Sequence, residues 1–153
     1  MAKIAADIEE KFTSSLKSKD TLAISVLRLA KSALVNERIA KGHELTESEE
    51  IQVLRREVKK REEAAEIYGR GGNAERQESE LVEAEYLKTF LPAEMSDDDI
   101  RGKVREAIAE VGSDLPAQAG NFGKLMGVVM KKVGGQASGD RVSKILKEET
   151  NKN

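Results

Sequence analysis

Phe122-Gly-Lys-Leu-Met-Gly-Val-Val-Met-Lys-Lys-Val-Gly-Gly-Gln-Ala-Ser-Gly-Asp-Arg-Val142 holds the signals that decide the fold. Phe122, Leu125, Met126, Val129, Met130 and Val133 recur at helical spacing, which predicts one buried stripe along one helix. Gly134-Gly135 stops that helix, and a second one starts near Ser138 carrying Arg141, Lys144 and Lys147. The stretch therefore reads as a short helical hairpin. Gly123 and Gly127 sit one turn apart without side chains, so another backbone can approach closely there. Lys131 and Lys132 close the helix where its dipole favours cations. Such a surface suits a phosphate backbone or a partner helix rather than catalysis.

Helical patterns fill the rest of the chain. Ile4, Ile8, Phe12 and Leu16 predict a first helix from about Lys3 to Lys17. Asp20 or Thr21 caps a second, which runs to Lys41 and stops at Gly42. That helix is apolar on two sides, Leu22, Val26, Leu29 and Ala33 on one and Ile24, Leu27 and Leu34 on the other, which predicts a central helix covered on both faces. Thr46-Glu-Ser-Glu49 is a capping-box pattern opening a third helix, with Ile51, Leu54, Val58 and Ala65 inward to about Tyr68. Gly69-Arg-Gly-Gly-Asn73 reads as a break. A fourth helix follows to about Phe90, with Leu81, Val82, Tyr86, Leu87 and Phe90 as its apolar set, and Pro92 marks a boundary. Ser96-Asp-Asp-Asp99 caps a fifth helix that buries Ile100, Val104, Ile108 and Val111 and stops at Gly112. A loop through Pro116 and Gly120 leads into the hairpin, whose last helix buries Val142, Ile145 and Leu146. The expected fold is all-α, a four-helix N-terminal domain (residues 1–92) followed by a three-helix C-terminal bundle (residues 93–153).

Composition bounds the chemistry. The 153 residues are 35% charged and 3% aromatic, a mix that fits a helical protein better than a sheet. There is no cysteine, which removes disulfides, thiolate metal sites and a cysteine nucleophile. Met1 to Glu10 contain no apolar run of signal-peptide length and no stretch is long enough to span a bilayer, so a soluble cytoplasmic protein without a membrane role is expected. Residues 1–114 hold 19 Lys/Arg against 25 Asp/Glu, whereas residues 115–153 hold 7 against 3. An acidic body with a basic end can orient a polyanion toward that end.

No catalytic constellation emerges. His43, the single histidine, lies in the Gly42-His-Glu-Leu loop and reads as a solvated loop residue. There is no nucleophile elbow, Walker-type loop or His-Glu-x-x-His zinc pattern, and Gly69-Arg-Gly-Gly follows a helix rather than a strand. No catalytic residue, metal site or cofactor is assigned. Asp97, Asp98 and Asp99 stand where a helix N-terminus favours negative charge, and Glu57–Arg61 and Lys59–Glu63 are spaced to pair along a helix surface. Arg55, Arg56, Lys59 and Lys60 form a basic arc, a secondary candidate face that reads either as a phosphate contact or as a solubilising surface balanced by nearby acids. A helical glycine costs about 1 kcal/mol relative to alanine, so Gly123 and Gly127 serve either close packing within the bundle or a binding surface.

Taken in order, Arg28-Leu-Ala-Lys-Ser-Ala-Leu-Val-Asn-Glu37, Gly42-His-Glu-Leu-Thr46, Leu54-Arg-Arg-Glu-Val-Lys-Lys-Arg61, Glu80-Leu-Val-Glu-Ala-Glu-Tyr-Leu87, Phe90-Leu-Pro92 and Gly123-Lys-Leu-Met-Gly-Val-Val-Met130 resemble the YqeY family, also called GatB/YqeY-domain proteins, from about Lys3 to Lys147. The resemblance implies an all-helical fold whose last three helices are similar to the tail of the B subunit of tRNA-dependent amidotransferases. That tail contacts the tRNA body while amide transfer, the carbon–nitrogen ligase chemistry with glutamine as amido donor, happens in other domains. The glutaminase and the ATP-using kinase-like domain have no counterpart in this sequence. The family usually places basic residues in the hairpin turn, where this chain reads Gly134-Gly-Gln136.

The reading is a non-catalytic module that contacts tRNA or a tRNA-handling complex through Lys124, Lys131, Lys132, Arg141 and Lys144, with Gly123 and Gly127 permitting close approach. The N-terminal helices would act as a spacer or docking surface. The competing reading is a helical protein–protein adaptor without RNA binding, which Gly134-Gly-Gln136 and the net charge of -2 favour. Oligomeric state is left open.

Overall fold

In the computed structural model, which describes residues 3–111 and 119–151, five helices start on a side chain that takes an orphan backbone N–H. Asp20 accepts from Ala23 at 3.1 Å, Thr46 from Glu49 at 3.2 Å, Asn73 from Arg76 at 3.2 Å, Ser96 from Asp99 at 3.1 Å and Ser138 from Arg141 at 3.3 Å. At Thr46 the capping box is complete, because the Glu49 carboxylate accepts the Thr46 N–H at 2.9 Å. The elements are α1 (Lys3–Ser18), α2 (Thr21–Lys41), α3 (Glu47–Arg70), α4 (Ala74–Lys88), α5 (Asp97–Val111), α6 (Ala119–Val133) and α7 (Gly139–Thr150). No strand occurs among the described residues, and the architecture is all-α, four helices followed by three. The chain divides into two compact units, Met1–Pro92 and Ala93–Asn153.

The first unit is built around Ile8, Val26, Leu27 and Leu54, all fully buried or nearly so. Its α1 start is capped from a distance: the Ala5 N–H donates to the buried Glu50 carboxylate of α3 at 3.1 Å. Burial raises the Glu50 carboxyl above its ordinary range, opposed by the amides of Ala5 and Ile4. α3 and α4 form the longest contact of the unit, joined across the Gly71-Gly72 turn. Between them the buried Arg61 guanidinium pairs with Glu57 at 3.2 Å and Glu83 at 3.3 Å, and Lys88 reaches Glu62 at 2.9 Å.

The second unit packs Ile100 and Val104 of α5, Leu125, Val129 and Val133 of α6, and Val142, Ile145 and Leu146 of α7. A buried carboxylate joins α5 to α7: Glu149 pairs with Arg101 at 3.0 Å and Arg105 at 3.2 Å. Among the described residues no helix is long and apolar enough to cross a membrane.

Several expected faces are redrawn. Leu16 is exposed and Ser15 is buried. An i, i+4 stripe drifts by about 40° per step, so Leu16 stands roughly 120° from Ile4 while Ser15 stands only about 20° away. α2 is covered on one broad face, Ala23, Val26, Leu27, Ala30 and Leu34, leaving Leu22 and Leu29 exposed. On α4, Ala84 and Leu87 are buried and Leu81 and Val82 face outward. α3 runs through Gly69, and Gly120 lies inside α6 rather than in a loop. Gly112 and Pro116 lie outside the described residues.

Candidate nucleic-acid interface

The α6–α7 hairpin is shaped by its turn. Gly134 and Gly135 have φ of 57° and 81°, in the left-handed region where glycine carries no Cβ penalty. The Gln136 carbonyl then accepts the Met95 N–H at 2.7 Å, tying the turn to the segment before α5. Leu125, Val129 and Val133 are buried, with Phe122, Met126 and Met130 half-buried beside them. The opposite face exposes Gly123, Lys124, Gly127 and Lys131.

A methyl group built on either glycine meets nothing within 4 Å among the described residues. Close packing inside the bundle therefore does not account for this pair. α6 contains no carboxylate. Lys124 and Lys131 are seven residues apart, two turns or about 10 Å along the axis, and share one face with the glycines. Among the described residues neither lysine forms an ion pair.

The other basic candidates are placed differently. Lys132 leans toward α5, pairing with Glu110 at 2.6 Å and Glu106 at 3.8 Å, and its hydrogen bond to Glu110 raises its pKa. Arg141 reaches Asp97 at 2.7 Å, Glu94 at 3.5 Å and the Met95 carbonyl at 2.8 Å. That guanidinium, through its hydrogen bond, holds the Asp97 carboxyl below the usual range. Lys144 is exposed. Lys147 stands 5.9 Å from the Phe122 ring, at the outer limit of a cation–π contact.

On α3, Arg56 pairs with Glu37 at 2.8 Å and Lys60 with Glu57 at 3.1 Å, while Arg55 is half-buried and Lys59 exposed. This arc is interwoven with carboxylates. His43 is exposed, its Nδ1 2.8 Å from the Glu44 carbonyl. No group of metal-binding side chains occurs among the described residues.

Sequence reading passed over the buried Glu50 and Glu149, and it set the Glu57–Arg61 pair, present at 3.2 Å, on a helix surface although Arg61 is buried. Their spacing was a usable signal. Arg61 follows Leu54 and Val58 at helical intervals, and Glu149 follows Val142 and Ile145 in the same way. Charge alone does not keep a position on that stripe out of the core when a partner stands opposite.

Residues 5–150 match the YqeY family, described as Yqey-like protein, and the chain belongs to that family. No curated protein matches it.

Proposed function

We propose that the chain is a non-catalytic RNA-contact module whose C-terminal hairpin holds the sugar–phosphate backbone of tRNA or a tRNA-like RNA. The observation that carries this reading is the outer face of α6, where exposed Lys124 and Lys131 share one side with two glycines that have no described atom within 4 Å of an added methyl, on a helix without a carboxylate. Ammonium groups beside a surface without side chains let a phosphate backbone come close. No aromatic side chain lies on that face, so the contact reads backbone rather than bases. Lys144, exposed on α7 within electrostatic reach of Asp97, is the further cation of this proposal. Lys132 and Arg141 are half-buried and held by carboxylates, so they contribute only by exchanging those partners for phosphate. The likeness of residues 93–153 to the tail of an amidotransferase B subunit supports the same assignment, as a shared module and not as shared catalysis.

Fluorescence titration with bulk tRNA across a salt series tests it. Binding is expected at low salt, with a log–log slope of roughly -2 to -4. Lys124→Glu with Lys131→Glu should abolish it, while Lys59→Glu with Lys60→Glu should leave the slope unchanged. Undiminished binding in the first variant would refute the placement on α6.

A second reading, a protein adaptor without RNA binding, is favoured by the large exposed apolar side chains of α1 to α4. It is selected if no tRNA binds at low salt and a partner is retained after nuclease treatment.

A further inference from the structure

All eight large apolar side chains that remain exposed among the described residues lie in α1 to α4, and half of them are on α2: Leu22, Leu29, Val35 and Ile39. At about 100° per residue these four fall within one arc of roughly 140°, facing away from the buried arc. Ser25, Arg28, Ser32 and Asn36 stand between them, and no carboxylate shares the arc. Alongside, Phe12, Arg28, Lys31, Ser32, Val35 and Asn36 line a shallow groove of about 290 Å³. Lys31 and Arg28 sit 4.3 and 6.0 Å from the Phe12 ring. Lys31 is paired with Glu9 at 2.9 Å, so Arg28 supplies the positive charge of this apolar face.

α4 presents the complement. Leu81 and Val82 are exposed, 44% each. Glu75, Glu78 and Glu85 are exposed on the same side of that helix. Lys88 pairs with Glu85 at 3.0 Å, so Glu75 and Glu78 supply the negative edge of this apolar face. α2 and α4 pack against each other within the first unit, so both faces belong to one body.

We propose that a second copy of this chain covers α2, with the outward face of α4 from one chain seated on the outward face of α2 of the other. Leu81 and Val82 then meet Leu29, Val35 and the Phe12 groove, and Glu78 meets Arg28. A two-fold axis makes the contact twice and leaves neither face open, as closed homodimers require. The α4-on-α2 arrangement is preferred over α2 on α2, because the latter would set two Arg28 guanidinium groups together, whereas α4 brings the Glu78 carboxylate. The surface lies on other helices than the RNA-contact face, and the two assignments stand or fall separately.

The absence of cysteine makes the test direct. Ser32→Cys places a thiol in the exposed α2 arc, and Ser79→Cys places one a turn before Val82. When the two variants are mixed, a flexible bismaleimide should join a Ser32→Cys chain to a Ser79→Cys chain. Sedimentation of the unmodified chain should show a dimer. Leu29→Glu with Ile39→Glu should return it to monomer without loss of far-ultraviolet helix signal. Arg28→Glu, an exposed change that does not endanger folding, should weaken the dimer roughly tenfold, and combining it with Glu78→Arg should restore it in part. A monomer at every concentration overturns the proposal. So does cross-linking of Ser32→Cys only to itself.

Discussion

Single charged side chains in this chain differ mostly in whether a helix end or an opposite charge stands in front of them. Glu49 is the clearest case. Its carboxylate hydrogen-bonds the Lys41 ammonium at 2.8 Å and the Thr46 N–H at 2.9 Å, and the Lys41 bond is the larger influence. Together they hold its pKa at about 2, against an ordinary value of 4.5. A depressed acid contributes stability that is fully present above the unfolded pKa and is lost as pH falls through the folded one. This contribution should therefore fade between pH 4.5 and about 2. Carboxyl carbon chemical shifts followed by NMR should give Glu49 a midpoint near 2, and Lys41→Met should move that midpoint toward the ordinary value. An unchanged midpoint in Lys41→Met would mean that the capping box alone sets it. The capping pair itself was legible in Thr46-Glu-Ser-Glu49, because it is local. The Lys41 partner was not, because it is brought in by the turn at Gly42.

Helices show where local pattern suffices and where it fails. The caps at Asp20, Thr46, Ser96 and Ser138 could be read because each depends on residues within one turn. The buried arc of α2 could not, since apolar residues surround most of that helix and only its neighbours choose among them. On α3 the stripe was legible but the charge on it misled. Arg61→Ala should lower stability by about 3 kcal/mol by leaving the partly buried Glu57 and Glu83 facing an empty site. Arg61→Met should cost much less, because its chain refills the volume. Urea denaturation compares the two, and equal losses would contradict the argument. On α6, Gly123 and Gly127 were legible as a departure from helix propensity, and the lack of any described atom within 4 Å of an added methyl removes close packing among the described residues as the reason. Each changed to Ala should raise stability by roughly 0.5–1 kcal/mol, since the new methyl meets no described atom. The double variant should also bind tRNA more weakly if the backbone must come close. Increased stability with undiminished tRNA binding would detach the glycines from that role.

At the level of the whole chain, the positive excess of residues 115–153 is offset by residues 93–114, while apolar burial falls into two clusters. Residues 93–153 contain ten Lys/Arg and ten Asp/Glu, so the excess of the last segment is offset once α5 is counted with it. Glu94, Asp97, Glu106 and Glu110 of that added segment neutralise Arg141 and Lys132. Long-range steering of a polyanion by net charge is therefore weak, and the proposed recognition depends on the local face of α6. Apolar burial behaves otherwise: each unit has its own cluster, the first around Leu27 and Leu54 and the second around Val129 and Leu146. The two proposals place self-association in the first unit and RNA contact in the second, and core substitutions can separate them. Leu27 and Leu146 are both fully buried, so replacing either with alanine should destabilise its own unit by about 2–5 kcal/mol. Leu27→Ala should raise hydrogen exchange in α1 to α4 and weaken the dimer while tRNA titration stays close to that of the unmodified chain. Leu146→Ala should do the reverse, loosening α5 to α7 and reducing tRNA binding while sedimentation still shows the dimer. If either substitution abolished both properties, the two tasks would share one cooperative body, because a cavity in one cluster reaches the other only when the units unfold together.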